Sequence, residues 1–154
     1  MNSDLTEFSD SKNDINDNFA FLVAGIIYKL DHDLSFKTLS KYKMTYVHFR
    51  VLQYLWSRNG ETIGEIAKSI VVRQPVLSRI IDQMQERGLV TRQADSNDGR
   101  YIRVYLTDSG KEKYEEVWPK AKEMIVDALS VLKADEYDEL MRMLRMISSN
   151  LLDE

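Results

Sequence analysis

Arg73, Gln74, Ser78 and Arg79 place four hydrogen-bonding side chains within seven residues, around Pro75 and the apolar Val76 and Leu77. A guanidinium is a rigid fork of donors that fits a carboxylate, a phosphate or the edge of a purine, and a carboxamide both donates and accepts. Such groups recognise polar surfaces; they do not by themselves make or break bonds. Arg92, Arg100 and Arg103 follow, with Asp98 two residues before Arg100. Groups suited to catalysis are scarce. The two histidines, His32 in Asp31-His32-Asp33 and His48, stand sixteen residues apart, without an H-E-x-x-H pair or a third imidazole to complete a metal site. There is no cysteine, which excludes disulfides, cysteine zinc sites, iron–sulfur clusters and thiol chemistry. Phosphate-loop, G-x-S-x-G and G-x-G-x-x-G motifs are absent as well. No catalytic residue, metal or cofactor is expected, and the residues point to binding and not to an enzyme.

Those side chains need elements to position them. Phe19, Leu22, Val23, Ile26, Ile27 and Leu30 fall three and four apart, which predicts a helix from about Asn16 to about Ser40. Val47, Val51, Leu52, Leu55 and Trp56 repeat the period, with Thr45 placed to cap and Asn59-Gly60 to stop. Thr62-Ile63-Gly64-Glu65 fits a capping box, so a short helix starts there and ends near Ser69. Pro75 suits the first turn of the next helix, in which Val76, Ile80, Ile81 and Met84 are expected to point inward and Arg87-Gly88 to close the end. Ile102, Val104 and Leu106 then alternate with Tyr101, Arg103 and Tyr105, predicting a β-hairpin with Leu89 to Gln93 across a polar tip, Asp95 to Gly99. The helical period returns with Trp118, Ala121, Ile125, Ala128, Leu129 and Leu132. After a break at Lys133 to Asp135 it resumes with Tyr137, Leu140, Met141, Leu144, Ile147 and Leu151. Pro119 is expected to bend its helix or to interrupt the hydrogen bonding. Residues 1–15, acidic and aperiodic, are expected to form a disordered tail. The fold class is mainly α with one small hairpin.

Charge separates this plan into regions. The 154 residues carry 21 basic and 25 acidic side chains, a net −4 that on its own argues against a nucleic-acid partner. By position the picture reverses: residues 58–103 hold eight basic against six acidic residues, and seven of the ten arginines lie there. No apolar run reaches the roughly 18 residues a membrane span needs. The opening MNSDLTEFSDSKNDINDN is acidic where a secretory signal is basic and then apolar. A cytoplasmic protein without a membrane partner is the expectation.

Two short helices joined by a tight turn, the second opening with Arg73-Gln74-Pro75, and then an arginine-bearing hairpin match a winged helix-turn-helix. A helix fits the major groove of DNA and presents its first-turn side chains to base edges. The bland reading of the same residues is a solvated helix face. Against it stand Asp98-Gly99-Arg100, the alternating Ile102 and Val104, and Leu106-Thr107-Asp108-Ser109-Gly110, which together resemble the wing and exit signature of the MarR family of bacterial transcription regulators, D-x-R followed by L-T-x-x-G. Leu77 to Val90, with its Gly88-Leu89-Val90 step, resembles that family's recognition helix and its passage into the wing.

The resemblance implies a transcription regulator, by the commoner family behaviour a repressor, that binds a pseudo-palindromic double-stranded DNA operator as a homodimer. It assigns 45–106 to the winged DNA-binding region, and 16–44 and 107–154 to helical dimerisation. Arg73, Gln74, Pro75, Ser78 and Arg79 would approach the major groove and Arg100 the adjacent minor groove. Asp98 would orient Arg100 or form the turn before Gly99, and Arg92 and Arg103 would contact the DNA backbone or pair across the hairpin. Leu140, Leu144, Ile147 and Leu151, broadened by Met141, Met143 and Met146, favour burial in a dimer over packing within one chain. A small aromatic or phenolic effector is also implied, with Phe36, Tyr42, Tyr46, His48, Phe49 and Arg50 offering a mixed aromatic and cationic lining that could equally be packing. The rival is a winged helix that binds a protein without reading DNA.

Overall fold

The computed structural model describes residues 18–152, so the expected tail at residues 1–15 lies outside the described residues. The order is α1 (Phe19–Lys37), a 3-10 turn (Leu39–Tyr42), α2 (Tyr46–Ser57), β1 (Glu61–Thr62), α3 (Ile63–Ser69), α4 (Gln74–Glu86), β2 (Val90–Ala94), β3 (Ile102–Leu106), α5 (Asp108–Leu129) and α6 (Ala134–Leu152). No helix among the described residues is long and apolar enough to cross a membrane.

Local chemistry accounts for the boundaries. Asn18 caps α1 by accepting the Phe21 amide at 3.0 Å. The expected end near Ser40 moves to Lys37, because the chain tightens into the 3-10 turn and then reverses at Lys43 with φ +51°. Thr45 caps α2, and the third helical residue is His48. Its Nδ1 accepts the Thr45 amide at 3.1 Å while its own amide reaches Thr45 Oγ1 at 3.4 Å. Thr62 and Glu65 form the predicted capping box of α3: Thr62 N–H donates to Glu65 Oε2 at 3.0 Å, and Glu65 N–H to Thr62 Oγ1 at 3.3 Å. α4 ends at Gly88, which adopts φ +69° as Leu89 N–H reaches back to Met84 O at 2.9 Å. α5 continues helically through Pro119.

The hairpin gains a strand that its sequence did not announce. β1 pairs antiparallel with β3, giving a three-stranded sheet ordered β1-β3-β2, with β2 and β3 in register from Val90 opposite Leu106 to Ala94 opposite Ile102. Gly60 leads into β1 at φ +89°, and a Cβ there would fall 2.5 Å from the Tyr105 ring.

The chain divides after Trp118 into two compact units. The core of the first holds Leu39, Val51, Leu52, Leu55, Ile66, Leu77, Ile81, Met84, Val90, Val104 and Val117, all fully buried. A ladder of rings ties α2 to the first half of α5: Tyr114 stacks with Phe49 and Trp118 and leans on Trp56, with centroids 6.1, 5.9 and 5.0 Å apart. Thr107 and Gly110 fix where α5 begins. The Thr107 hydroxyl donates to Gly88 O at 2.5 Å and accepts Gly110 N–H at 3.0 Å, while a Cβ on Gly110 would run into the Leu89 carbonyl. The second unit carries α6, whose Tyr137, Met143, Leu144, Met146, Ile147 and Leu151 are exposed.

Candidate nucleic-acid interface

α3 and α4 meet through Ile70 to Arg73. Ile70 is buried, and Val72 N–H returns to Ala67 O at 3.0 Å. Val71 turns the corner at φ +56°, a left-handed conformation that a β-branched residue rarely adopts. Arg73 caps α4 with its backbone alone, its carbonyl accepting Val76 and Leu77 N–H at 3.0 Å each. Pro75 then occupies the first turn, where its missing N–H leaves no bond unmade.

Leu77, Ile81 and Met84 form the buried face of α4, four and then three residues apart. Val76, expected to point inward, is 42% exposed. At about 100° per residue it sits one position off that face, on the side shared with Arg73 and Arg79. These residues and Pro75 line a shallow depression of about 230 Å³. A second, wider one of about 430 Å³ adjoins it, lined by Gly64, Ala67, Lys68, Val71, Val72, Arg73 and Gln74.

The arginines of α4, its caps and the hairpin divide into two classes. Among the described residues no side chain pairs with the Arg73 or Arg79 guanidinium, and both are exposed. Arg87, Arg92, Arg100 and Arg103 are tied. Arg92, on β2, does not pair across the hairpin: it bonds to α4, to Asp82 Oδ1 at 2.7 Å, Gln85 Oε1 at 3.2 Å and Ser78 O at 3.5 Å. Arg103 pairs across the hairpin with Asp95 and also donates to Gly60 O at 2.8 Å, with Glu61 3.7 Å away. Arg87 donates to Lys43 O and Tyr42 O at 2.9 and 2.6 Å.

The wing tip is built from its two aspartates. Asp95 Oδ1 accepts the amides of Asn97 and Asp98 at 2.7 and 3.0 Å, which closes the turn. Arg103 and these two amides hold the Asp95 carboxyl down at about 2. Asp98 grips Arg100 with both oxygens, Nε to Oδ1 at 2.9 Å and Nη2 to Oδ2 at 2.7 Å, and this pairing lowers its pKa. It also accepts Arg100 N–H at 3.1 Å, so the orienting and turn-forming readings of Asp98 describe one arrangement. The Arg100 side chain stays 86% exposed, presented and not buried.

The residues considered for an aromatic ligand differ in exposure. Phe36 is 75% exposed, whereas His48 and Phe49 are packed in the core. His48 is held by Thr45, and burial, reinforced by the Arg87 charge, pushes its pKa down.

The unpaired cations at the start of α4, the tight α3–α4 turn and the wing tip with Asp95, Asp98 and Arg100 fall inside the span that a model of the MarR family matches, residues 44–102, while β3 runs on beyond it to Leu106. These residues form a MarR-family domain. The uncharacterized HTH-type transcriptional regulator YkoM of Bacillus subtilis is 29% identical to this chain over 97 residues, a match spanning 63% of each protein. Among solved structures, a MarR family transcriptional regulator from Silicibacter pomeroyi superposes with TM-score 0.86 at 25% identity, over 94% of this chain and 97% of that one. A mutant MarR from E. coli complexed with operator DNA superposes with TM-score 0.71 at 27% identity, over 82% and 90%.

Within the MarR module, α4 and the wing bring Arg73, Gln74, Pro75, Ser78, Arg79 and Arg100 to the surface, Ser78 half-buried, while Arg92 and Arg103 serve the scaffold's own bonds. Sequence reasoning missed Val76 as a surface residue. Counting from Leu77 and not from Val76 gives the buried phase and leaves Val76 beside the arginines.

Proposed function

We propose that this chain is a sequence-specific DNA-binding transcription regulator, most simply a cytoplasmic repressor, acting as a homodimer on a pseudo-palindromic operator. The observation that carries this reading is the division among the arginines. Arg73 and Arg79 stand unpaired at the exposed start of α4, where a recognition helix meets base edges, while neighbouring arginines are consumed by internal bonds. Arg100, held at the wing tip by Asp98, fits a narrow minor groove. The superposition on a MarR bound to operator DNA supports the same placement. Two-fold symmetry sets the half-sites about one helical turn apart. With no cysteine in the sequence, switching falls to a bound ligand or partner, and a small aromatic or phenolic compound is the class assigned here.

The test is selection of retained fragments from a pool of random duplexes, followed by affinity measurements with Arg79→Ala and Arg100→Ala made separately. Loss of a base-reading arginine costs about 1–3 kcal/mol, roughly five- to 150-fold in affinity. Unchanged affinity in both variants would overturn the placement of these arginines on the duplex, and failure to retain any duplex would leave the winged module to a protein partner. Repeating the selection with phenolic acids tests release.

A further inference from the structure

Val76 is not part of the buried face of α4. A β-branched apolar residue in the first turn of a helix adds less to helix stability than Lys, Glu or Gln, and its side chain is 42% exposed while Leu77, Ile81 and Met84 fill the core. Its surroundings specify what it would meet. Pro75 and Val76 line the depression on α4 together with two exposed arginines, Arg73 and Arg79, and none of the four lining residues is acidic. The partner that fits carries one small apolar group in a strongly anionic, acceptor-rich setting. On the major-groove edge of DNA that description belongs to the C5-methyl of thymine, the apolar group among base edges that otherwise offer donors and acceptors. Val76 and Arg79 are three residues apart on one face, about 4.5 Å along the helix axis, close to the roughly 3.4 Å step between base pairs. A valine reading a methyl and an arginine reading a guanine can therefore address neighbouring pairs.

We propose that Val76, supported by Pro75, is a specificity-determining residue that reads a thymine methyl, so that each operator half-site requires a thymine beside the base pair read by Arg79. This rests on the DNA-binding reading above and adds to it the identity of one base and the group that reads it.

The experiment uses the full chain and the duplex that it selects, remade with each thymine in turn replaced by deoxyuridine, which removes the methyl and nothing else. One position per half-site should weaken binding about fourfold, the worth of one buried methyl-sized group, and that penalty should vanish in Val76→Ser. The DNA change involves no protein variant, so folding of the mutant does not limit the result. If no deoxyuridine substitution lowers wild-type affinity, or if the penalty is undiminished in a folded Val76→Ser, the assignment of Val76 is overturned while DNA binding stands. If no duplex is enriched at all, the DNA-binding reading falls, and this one with it.

Discussion

Asp95 ties the wing together at two points. One carboxylate closes the tip turn through two amides and anchors Arg103, which in turn reaches the Gly60 carbonyl 43 residues away in sequence. Its carboxyl is held at about 2, against about 3.9 in an unfolded chain. A depressed carboxylate stabilises the fold above its unfolded pKa, and that contribution is lost as pH falls from about 4 towards about 2. Asp98 is shifted in the same direction by Arg100. Asp95→Asn should therefore unfold at lower urea than the wild type at pH 7, and the gap between the two should close across that acid window. The contacts legible at this scale are the local ones. Thr62 and Glu65 lie three apart, so their spacing alone states the capping box. Arg87 reaching Tyr42 and Lys43, 45 and 44 residues back, leaves no trace in any local pattern.

Among the elements, the start of α5 shows what the L-T-x-x-G signature does physically. Thr107 joins the helix start to Gly88, and Gly110 allows the first turn to press on the Leu89 backbone. A side chain at Gly110 meets a carbonyl that cannot move without disturbing the entry to β2. Gly110→Ala should cost about 2–3 kcal/mol, measurable as a drop in the urea midpoint with an unchanged slope; an unaffected midpoint would show that the helix start can shift. The periodic elements were legible because their apolar residues repeat. β1 was not, since two residues cannot display an alternation, and its strand character comes from the β3 edge beside it. Val76 was misassigned for a different reason: valine signals an apolar face without stating its phase, and the phase of α4 is set by what Leu77, Ile81 and Met84 pack against.

At the scale of the molecule, two helices carry more apolar surface than one chain covers. Phe19, Leu22, Val23, Ile26 and Ile27 are exposed on α1, as are Met143, Leu144, Met146, Ile147 and Leu151 on α6. Contiguous exposed apolar faces of this extent mark interfaces, and a second copy of the chain is the occupant that the proposed pseudo-palindromic operator calls for. Ile147→Glu should weaken self-association by more than tenfold in sedimentation equilibrium, the worth of one buried aliphatic side chain or more. A wild type that sediments as an 18.0 kDa species at micromolar concentration would contradict the dimer. The internal ties of the arginines also bear on the thermodynamics of association. Ordering a long side chain at an interface costs about 0.5–1.5 kcal/mol. Arg92 and Arg103 meet that cost when the chain folds, and the Asp98 fork restrains Arg100 before any duplex arrives. In the proposed complex the wing would dock with Arg92 and Arg103 already ordered and Arg100 restrained. Arg73 and Arg79 have no side-chain partner to restrain them, so in the proposed complex the entropic cost of recognition would be concentrated on α4.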